Sequence, residues 1–264
     1  KDQLQLLSFY DTLTPAQQEN LLAQIEGIDW SLLDVLKTHE TVNARGTFAP
    51  LSAMELSQID ANRAHLEEVG LQAIREGKVA AVLLAGGQGT RLGFDKPKGM
   101  YNIGVTRELY IFECLINNVM EVVKKAGAWI PFYIMTSDKN YDDTTAFLKE
   151  KNYFGYNAEY IHFFKQDMAP SVDYNGKLLM EAPDRLSLSP NGNGGWFSSL
   201  CRYGYDKQMK EAGVEWLTAF AVDNVLQRIN DPAFVGAVID SGCDCGGMVV
   251  RKADPNERVG VLCT

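Results

Sequence analysis

The densest chemistry in the sequence lies in Leu84-Ala85-Gly86-Gly87-Gln88-Gly89-Thr90-Arg91-Leu92-Gly93, followed closely by Pro97-Lys98-Gly99-Met100. Glycines let a backbone approach a ligand and aim its N–H groups at phosphate oxygens. Arg91 offers a planar fork of donors that matches phosphate, and Lys98 a compact positive charge stiffened by Pro97. Two cations beside one glycine loop point to a polyphosphate ligand. The loop is neither of two common phosphate loops. No Lys-Ser or Lys-Thr follows the glycines, as a P-loop requires, and Gly87-Gln88-Gly89-Thr90-Arg91-Leu92 lacks the third glycine of the dinucleotide fingerprint.

The flanking sequence shows what must hold the loop. Val79-Ala80-Ala81-Val82-Leu83-Leu84 is a continuous apolar run, as expected of a central strand covered on both faces. A helix is expected over residues 110–125, with Ile111, Leu115, Val119, Val122 and Val123 as its apolar stripe. Residues 131–135, 161–164 and 216–222 read as strands, 142–149 and 233–240 as helices, and 248–250 and 259–262 as later strands. This alternation predicts an α/β fold with a mostly parallel sheet and helices on both faces. Residues 166–195 read as irregular, with a hairpin turn at Asn175-Gly176 between arms 172–174 and 177–180. They end in Ser189-Pro190-Asn191-Gly192-Asn193-Gly194-Gly195, and in α/β sheets such loops sit at the carboxyl ends of strands, where ligands bind.

Upstream, the pattern is helical. Thr14-Pro15-Ala16-Gln17 offers a cap, a first-turn proline and a reciprocal glutamine, with Leu21, Leu22 and Ile25 following on one face. A shorter helix is expected from Ser31, carrying Leu32, Leu33, Val35 and Leu36. Ser52 and Glu55 form a second capping box, ahead of a helix over 59–75 that carries Leu66, Val69, Leu71 and Ile74 and ends near Gly77. The expected division is a helical extension over 1–76, packing in role rather than a lid or oligomer contact, and a nucleotide-binding domain over 77–264.

Composition narrows the partners. The chain has 264 residues, 46% apolar and 22% charged, with 25 basic and 34 acidic side chains and a net charge of −9. That balance argues against a nucleic-acid groove and against polybasic docking on lipid. No run approaches 18 apolar residues, so no transmembrane helix is expected; Lys1-Asp2-Gln3-Leu4-Gln5 lacks a signal-peptide core, and it is the odd number of cysteines that points to a cytoplasmic protein. Five cysteines suit a reduced compartment; with three scattered histidines and no C-x-x-C spacing they read as buried or partly buried thiols, not zinc ligands. Cys243-Asp244-Cys245 reads as structural, and Phe132, Phe163, Phe164, Trp196 and Trp216 as core or pocket wall.

L-A-G-G-x-G-T-R-L-G followed by P-K-G-M resembles the signature of nucleotide-sugar pyrophosphorylases, more narrowly the eukaryotic-type UDP-N-acetylhexosamine and UDP-sugar enzymes. Ile134-Met135-Thr136-Ser137, Phe163-Phe164-Lys165-Gln166-Asp167-Met168, Pro190-Asn191-Gly192-Asn193-Gly194-Gly195 and Val222-Asp223-Asn224 are similar to the same family, as are the N-terminal helices. The resemblance implies a Rossmann-like domain of glycosyltransferase-A type. It also implies magnesium-dependent transfer of a uridylyl group from UTP to a sugar 1-phosphate, giving a UDP-sugar and pyrophosphate. Arg91 matches the family position at the leaving phosphates and Lys98 that at the α-phosphate; both are expected to be catalytic. Leu84, Gly86 and Gly87 would pass close to the nucleotide, and Gln166 matches the residue that reads the uracil edge, which an amide can do by donating and accepting. Gly192 and Asn193 match positions near base, ribose or sugar, although a plain turn would use the same residues. Asp223 matches the metal ligand, a role that suits magnesium, although an aspartate there could simply cap a helix.

UDP-N-acetylglucosamine is the favoured product. A glucose 1-phosphate or broad UDP-sugar enzyme is the alternative, and a non-catalytic nucleotide-sugar module a further one. Family members usually run past position 264, where a second phosphate-binding lysine and more of the sugar pocket are expected, so residues 1–264 alone are expected to bind UTP with little turnover.

Overall fold

The computed structural model describes residues 2–31, 49, 51 and 53–260. The chain forms two compact units, one of residues 1–47 and 167–191, the other of residues 48–166 and 192–264. This differs from the expected boundary at residue 76: the helix before the glycine loop belongs with the sheet, and the irregular stretch belongs with the N-terminal residues.

In the first unit, α1 (Pro15–Glu26) opens as expected, with Thr14 and Gln17 in a capping box and Pro15 in the first turn. Leu21 is buried, whereas Leu22 is exposed. Short antiparallel pairs form between β4 (Met168–Pro170) and β7 (Leu188–Pro190) and between β5 (Met180–Ala182) and β6 (Arg185–Leu186). The Asn175-Gly176 turn forms where expected: Gly176 has φ +75°, and Val172 bridges Leu178. Asp173 accepts the N–H groups of Asn175 and Lys177, which holds its carboxyl below the usual range. Leu6, Leu178 and Leu186 form the small core. The helix expected from Ser31 falls largely outside the described residues.

The second unit is built on four parallel strands in the order β3 (Ile161–Lys165), β2 (Phe132–Thr136), β1 (Val79–Leu84), β8 (Trp216–Ala221). The side chains of β1 alternate between two cores. Val79, Ala81 and Leu83 join a large one with α2 (Leu56–Arg75), α3 (Ile111–Ala126), α4 (Tyr141–Glu150) and α7 (Pro232–Asp240). Ala80 and Val82 face the other way, against Leu200 of α5 (Trp196–Arg202) and Met209 of α6 (Tyr205–Glu211). Burial on both sides explains the unbroken apolar run of β1. Phe132 and Phe164 are core residues, while Phe163, Trp196 and Trp216 are partly buried against it.

Three expectations need correction, and two short helices were not expected at all. Helix α2 starts at Leu56, capped by Glu55 and Gln58 rather than by Ser52 and Glu55; Gln58 accepts the N–H of Glu55, and Ser52 lies outside the described residues. Residues 248–250 form no strand, because among the described residues nothing pairs with them and Val250 is exposed; 259–260 are irregular too, and 261–262 lie outside the described residues. The short helices α5 and α6 were hidden in the sequence by the glycine-rich lead-in. Finally, Cys114 and Cys201 are half-buried, but Cys243 and Cys245 are exposed free thiols, since residues 242–260 enter no core.

Candidate active site

The strand order reverses at β1: β2 and β3 lie to one side and β8 to the other. Ligands of open α/β sheets bind outside the carboxyl ends of the strands at such a switch. The glycine loop leaves β1 there, and Asp223 follows β8, whose register brings Ala221 beside Leu84.

Past Leu84 the loop folds back on itself. Gln88 bridges Pro97, the N–H of Gly89 donates to the carbonyl of Lys96, and the N–H of Lys98 donates to the carbonyl of Gly87 at 3.3 Å. Arg91 sits exposed on the short turn Thr90–Leu92, facing no carboxylate among the described residues. Lys98 begins a second short turn, Lys98–Met100. Its ammonium lies 2.5 Å from Oδ1 of Asp223; the Lys98 side chain is 14% exposed and that of Asp223 62%. Two residues singled out for different roles therefore meet, one sheltered and one open to solvent.

Gln166 follows β3 and is 7% exposed. Its backbone N–H donates to Thr136, extending the β2–β3 ladder by one residue. Its side-chain amide lies flat against Gly86: a Cβ there would come within 2.6 Å of Nε2. No described residue takes the amide's hydrogen bonds. Gly86 is thus small because Gln166 occupies the space a side chain would need.

Gly192 and Asn193 follow Asn191, whose N–H donates to the carbonyl of Asp167, the residue after Gln166. Gly192 has φ +76°, a conformation that favours glycine, and Asn193 starts the turn that enters α5. Both are exposed, and no hydrogen bond links them to Arg91, Lys98, Gln166 or Asp223 among the described residues. Trp196, at the start of α5, packs on the same core face as Leu84, which puts this loop on that side of the sheet.

Asn140 belongs to no motif in the sequence. It is fully buried and clamps the loop: Nδ2 donates to the carbonyls of Ala85 at 3.0 Å and Gly87 at 3.4 Å, while Oδ1 accepts the N–H of Ser137 at 2.7 Å. Ser137 ends the Ile134-Met135-Thr136-Ser137 stretch, whose Thr136 hydroxyl donates to the carbonyl of Phe164. That stretch thus frames the loop from β2.

A magnesium ion is commonly held through one or two carboxylates plus phosphate oxygens and water. Asp223 suits such a site, being exposed and beside the loop; among the described residues no group of three His, Cys, Asp or Glu side chains could hold a metal unaided.

The sequence model of a family described as UTP–glucose-1-phosphate uridylyltransferase matches residues 22–264. The chain is 35% identical over 98% of its length to the mouse UDP-N-acetylhexosamine pyrophosphorylase-like protein 1, of which it covers 55%. It is 35% identical over 99% of its length to the UDP-N-acetylglucosamine pyrophosphorylase of Saccharomyces cerevisiae, of which it covers 59%. Its fold is similar to the crystal structure of the Trypanosoma brucei uridine diphosphate N-acetylglucosamine pyrophosphorylase, with a TM-score of 0.79, 28% identity and coverage of 91% of this chain and 53% of that one. The chain spans about half the length of the curated relatives it matches.

Proposed function

The chain belongs to the UTP–glucose-1-phosphate uridylyltransferase family, and on that premise we propose that the protein transfers the uridylyl group of UTP to a sugar 1-phosphate, with N-acetylglucosamine 1-phosphate as the favoured acceptor. The observation that carries this reading is the meeting of Lys98 and Asp223 beside the glycine loop, at the point where the strand order reverses. A phosphate oxygen of the sugar attacks the α-phosphorus of UTP in line, the bond to the β-phosphate breaks, and pyrophosphate leaves. Catalysis of this kind is mostly positioning and charge neutralisation. Lys98 faces the α-phosphate, Arg91 the leaving phosphates, and the amides of Gly86 and Gly87 approach the nucleotide as it passes Leu84. The Gln166 amide pairs with the uracil edge, and Gly192 and Asn193 line the base, ribose or sugar. Asp223 would hold magnesium with the phosphates; bound there, the ion neutralises phosphate charge. Lys98 must then exchange Asp223 for phosphate when substrate arrives.

The acceptor follows the names of the most similar relatives described above, all at about a third identity. The family's own description names glucose 1-phosphate and supports that acceptor as the second reading. A non-catalytic module could hold phosphate with the same two cations, so turnover is what separates it from an enzyme. Among the described residues no helix is long and apolar enough to cross a membrane, and we place the reaction in the cytoplasm, where free thiols persist. The test is a panel of nucleoside triphosphates and sugar 1-phosphates with pyrophosphate release as readout, on the full-length protein. UTP with N-acetylglucosamine 1-phosphate should turn over fastest; failure of every uridine pair overturns the reading.

A further inference from the structure

We propose that Asn140 is a positioning residue for this reaction, holding the glycine loop and the turn that carries Lys98 in the shape that meets the phosphates; the inference rests on the uridylyl-transfer reading above. Asn140 stands at the N-cap of α4, where an asparagine ordinarily bonds the first amides of its own helix. It makes no such bond. Its fully buried side chain turns to the loop instead, accepting from Ser137 and donating to Ala85 and Gly87. The partners fix the amide's orientation, since Ser137 N–H needs an acceptor and two carbonyls need a donor.

The sheet does not need these bonds. The N–H of Ala85 already donates to Met135 at 2.9 Å, so the β1–β2 ladder holds up to that residue. What Asn140 adds lies beyond the end of the ladder. The Gly87 carbonyl that it meets also receives the backbone N–H of Lys98. One oxygen therefore joins the buried amide, the glycine loop and the residue expected at the α-phosphate. An aspartate could only accept here, and an alanine would leave the carbonyls without this donor.

The test compares full-length wild type with Asn140→Ala and Asn140→Asp. In ligand-free protein, the amides of Gly89 and Lys98 should exchange hydrogen about tenfold faster in Asn140→Ala, while those of β1 and α3 keep their rates. In turnover, kcat/KM for UTP should fall about tenfold, the worth of one or two buried hydrogen bonds. Asn140→Ala combined with Lys98→Ala should be little slower than Lys98→Ala alone, because the two act through one element. Asn140→Asp should recover as pH falls, when a protonated carboxyl can donate again; if it does not fold, Asn140→Ala decides the matter. Unchanged exchange in the loop, or fully multiplicative effects of the two substitutions, would overturn the proposal. Should wild type transfer no uridylyl group, the reaction reading falls, and the exchange rates still judge whether Asn140 holds the loop.

Discussion

Lys98 and Asp223 stand 125 positions apart in the chain and share a short ion pair in the fold. Their assigned roles separate by experiment. Lys98→Ala should slow turnover about a hundredfold, the cost of losing one donor to developing charge, without raising the magnesium concentration needed for half-maximal rate. Asp223→Asn should raise that magnesium requirement about tenfold or more, as expected for a metal ligand. Swapped outcomes in magnesium titrations would show the roles to be wrongly assigned. Neither change should alter the melting temperature much, since the pair is open to solvent on the aspartate side. Gly86→Ala makes the complementary case: its Cβ would press on Gln166, so UTP affinity should weaken about tenfold and discrimination against CTP should narrow, read by titration with both nucleotides. Residues within the loop were legible because their chemistry is written in short spacing. The Lys98–Asp223 pair was not, because nothing local says which carboxylate a lysine will meet. Asn140 was less visible still, since an asparagine ahead of a helix reads as an ordinary cap.

Elements follow the same division between local and distant causes. The four strands of the sheet and helices α3, α4 and α7 were expected within a residue or two, because apolar runs and 3.6-residue stripes report burial directly. Residues 248–250 carry the same apolar signal without a partner to pair with among the described residues, and the signal alone misled. Helices α2 and α7 meet through a contact that periodicity cannot show: a Cβ on Gly70 would lie 2.0 Å from the carbonyl oxygen of Pro232. Gly70→Ala should therefore force the two helices apart and cost about 1–3 kcal/mol in urea unfolding. An unchanged midpoint would mean that the helices separate freely. Strand β3 carries a pH dependence. His162 stacks on Tyr133 with ring centroids 4.8 Å apart, and burial holds its imidazole below its ordinary pKa of 6.5. The unfolded chain therefore binds a proton that the folded chain refuses, and stability falls as pH drops below about 6.5. His162→Gln should remove that part of the slope in unfolding midpoints measured between pH 7.5 and 5.5; an identical slope would assign it to other groups.

At the scale of the whole chain, the net charge of −9 over these 264 residues and the proposed ligand are at odds, since a nucleoside triphosphate is itself an anion. The long-range field of the protein repels what the local cations Arg91 and Lys98 attract. Salt distinguishes the two, because the Debye length falls from about 30 Å at 0.01 M to about 10 Å at 0.1 M. Over that range the distant carboxylates are screened first, while the partly sheltered Lys98 keeps most of its contact energy. The association rate of magnesium-bound UTP should therefore hold steady or rise as ionic strength increases from 0.01 to 0.1 M, the reverse of the steep fall that marks binders of nucleic acid. Stopped-flow measurements with a fluorescent nucleotide would show it. A steep fall would mean that a positive field extends well beyond the glycine loop, and that the acidic balance of the chain misrepresents the face presented to substrate.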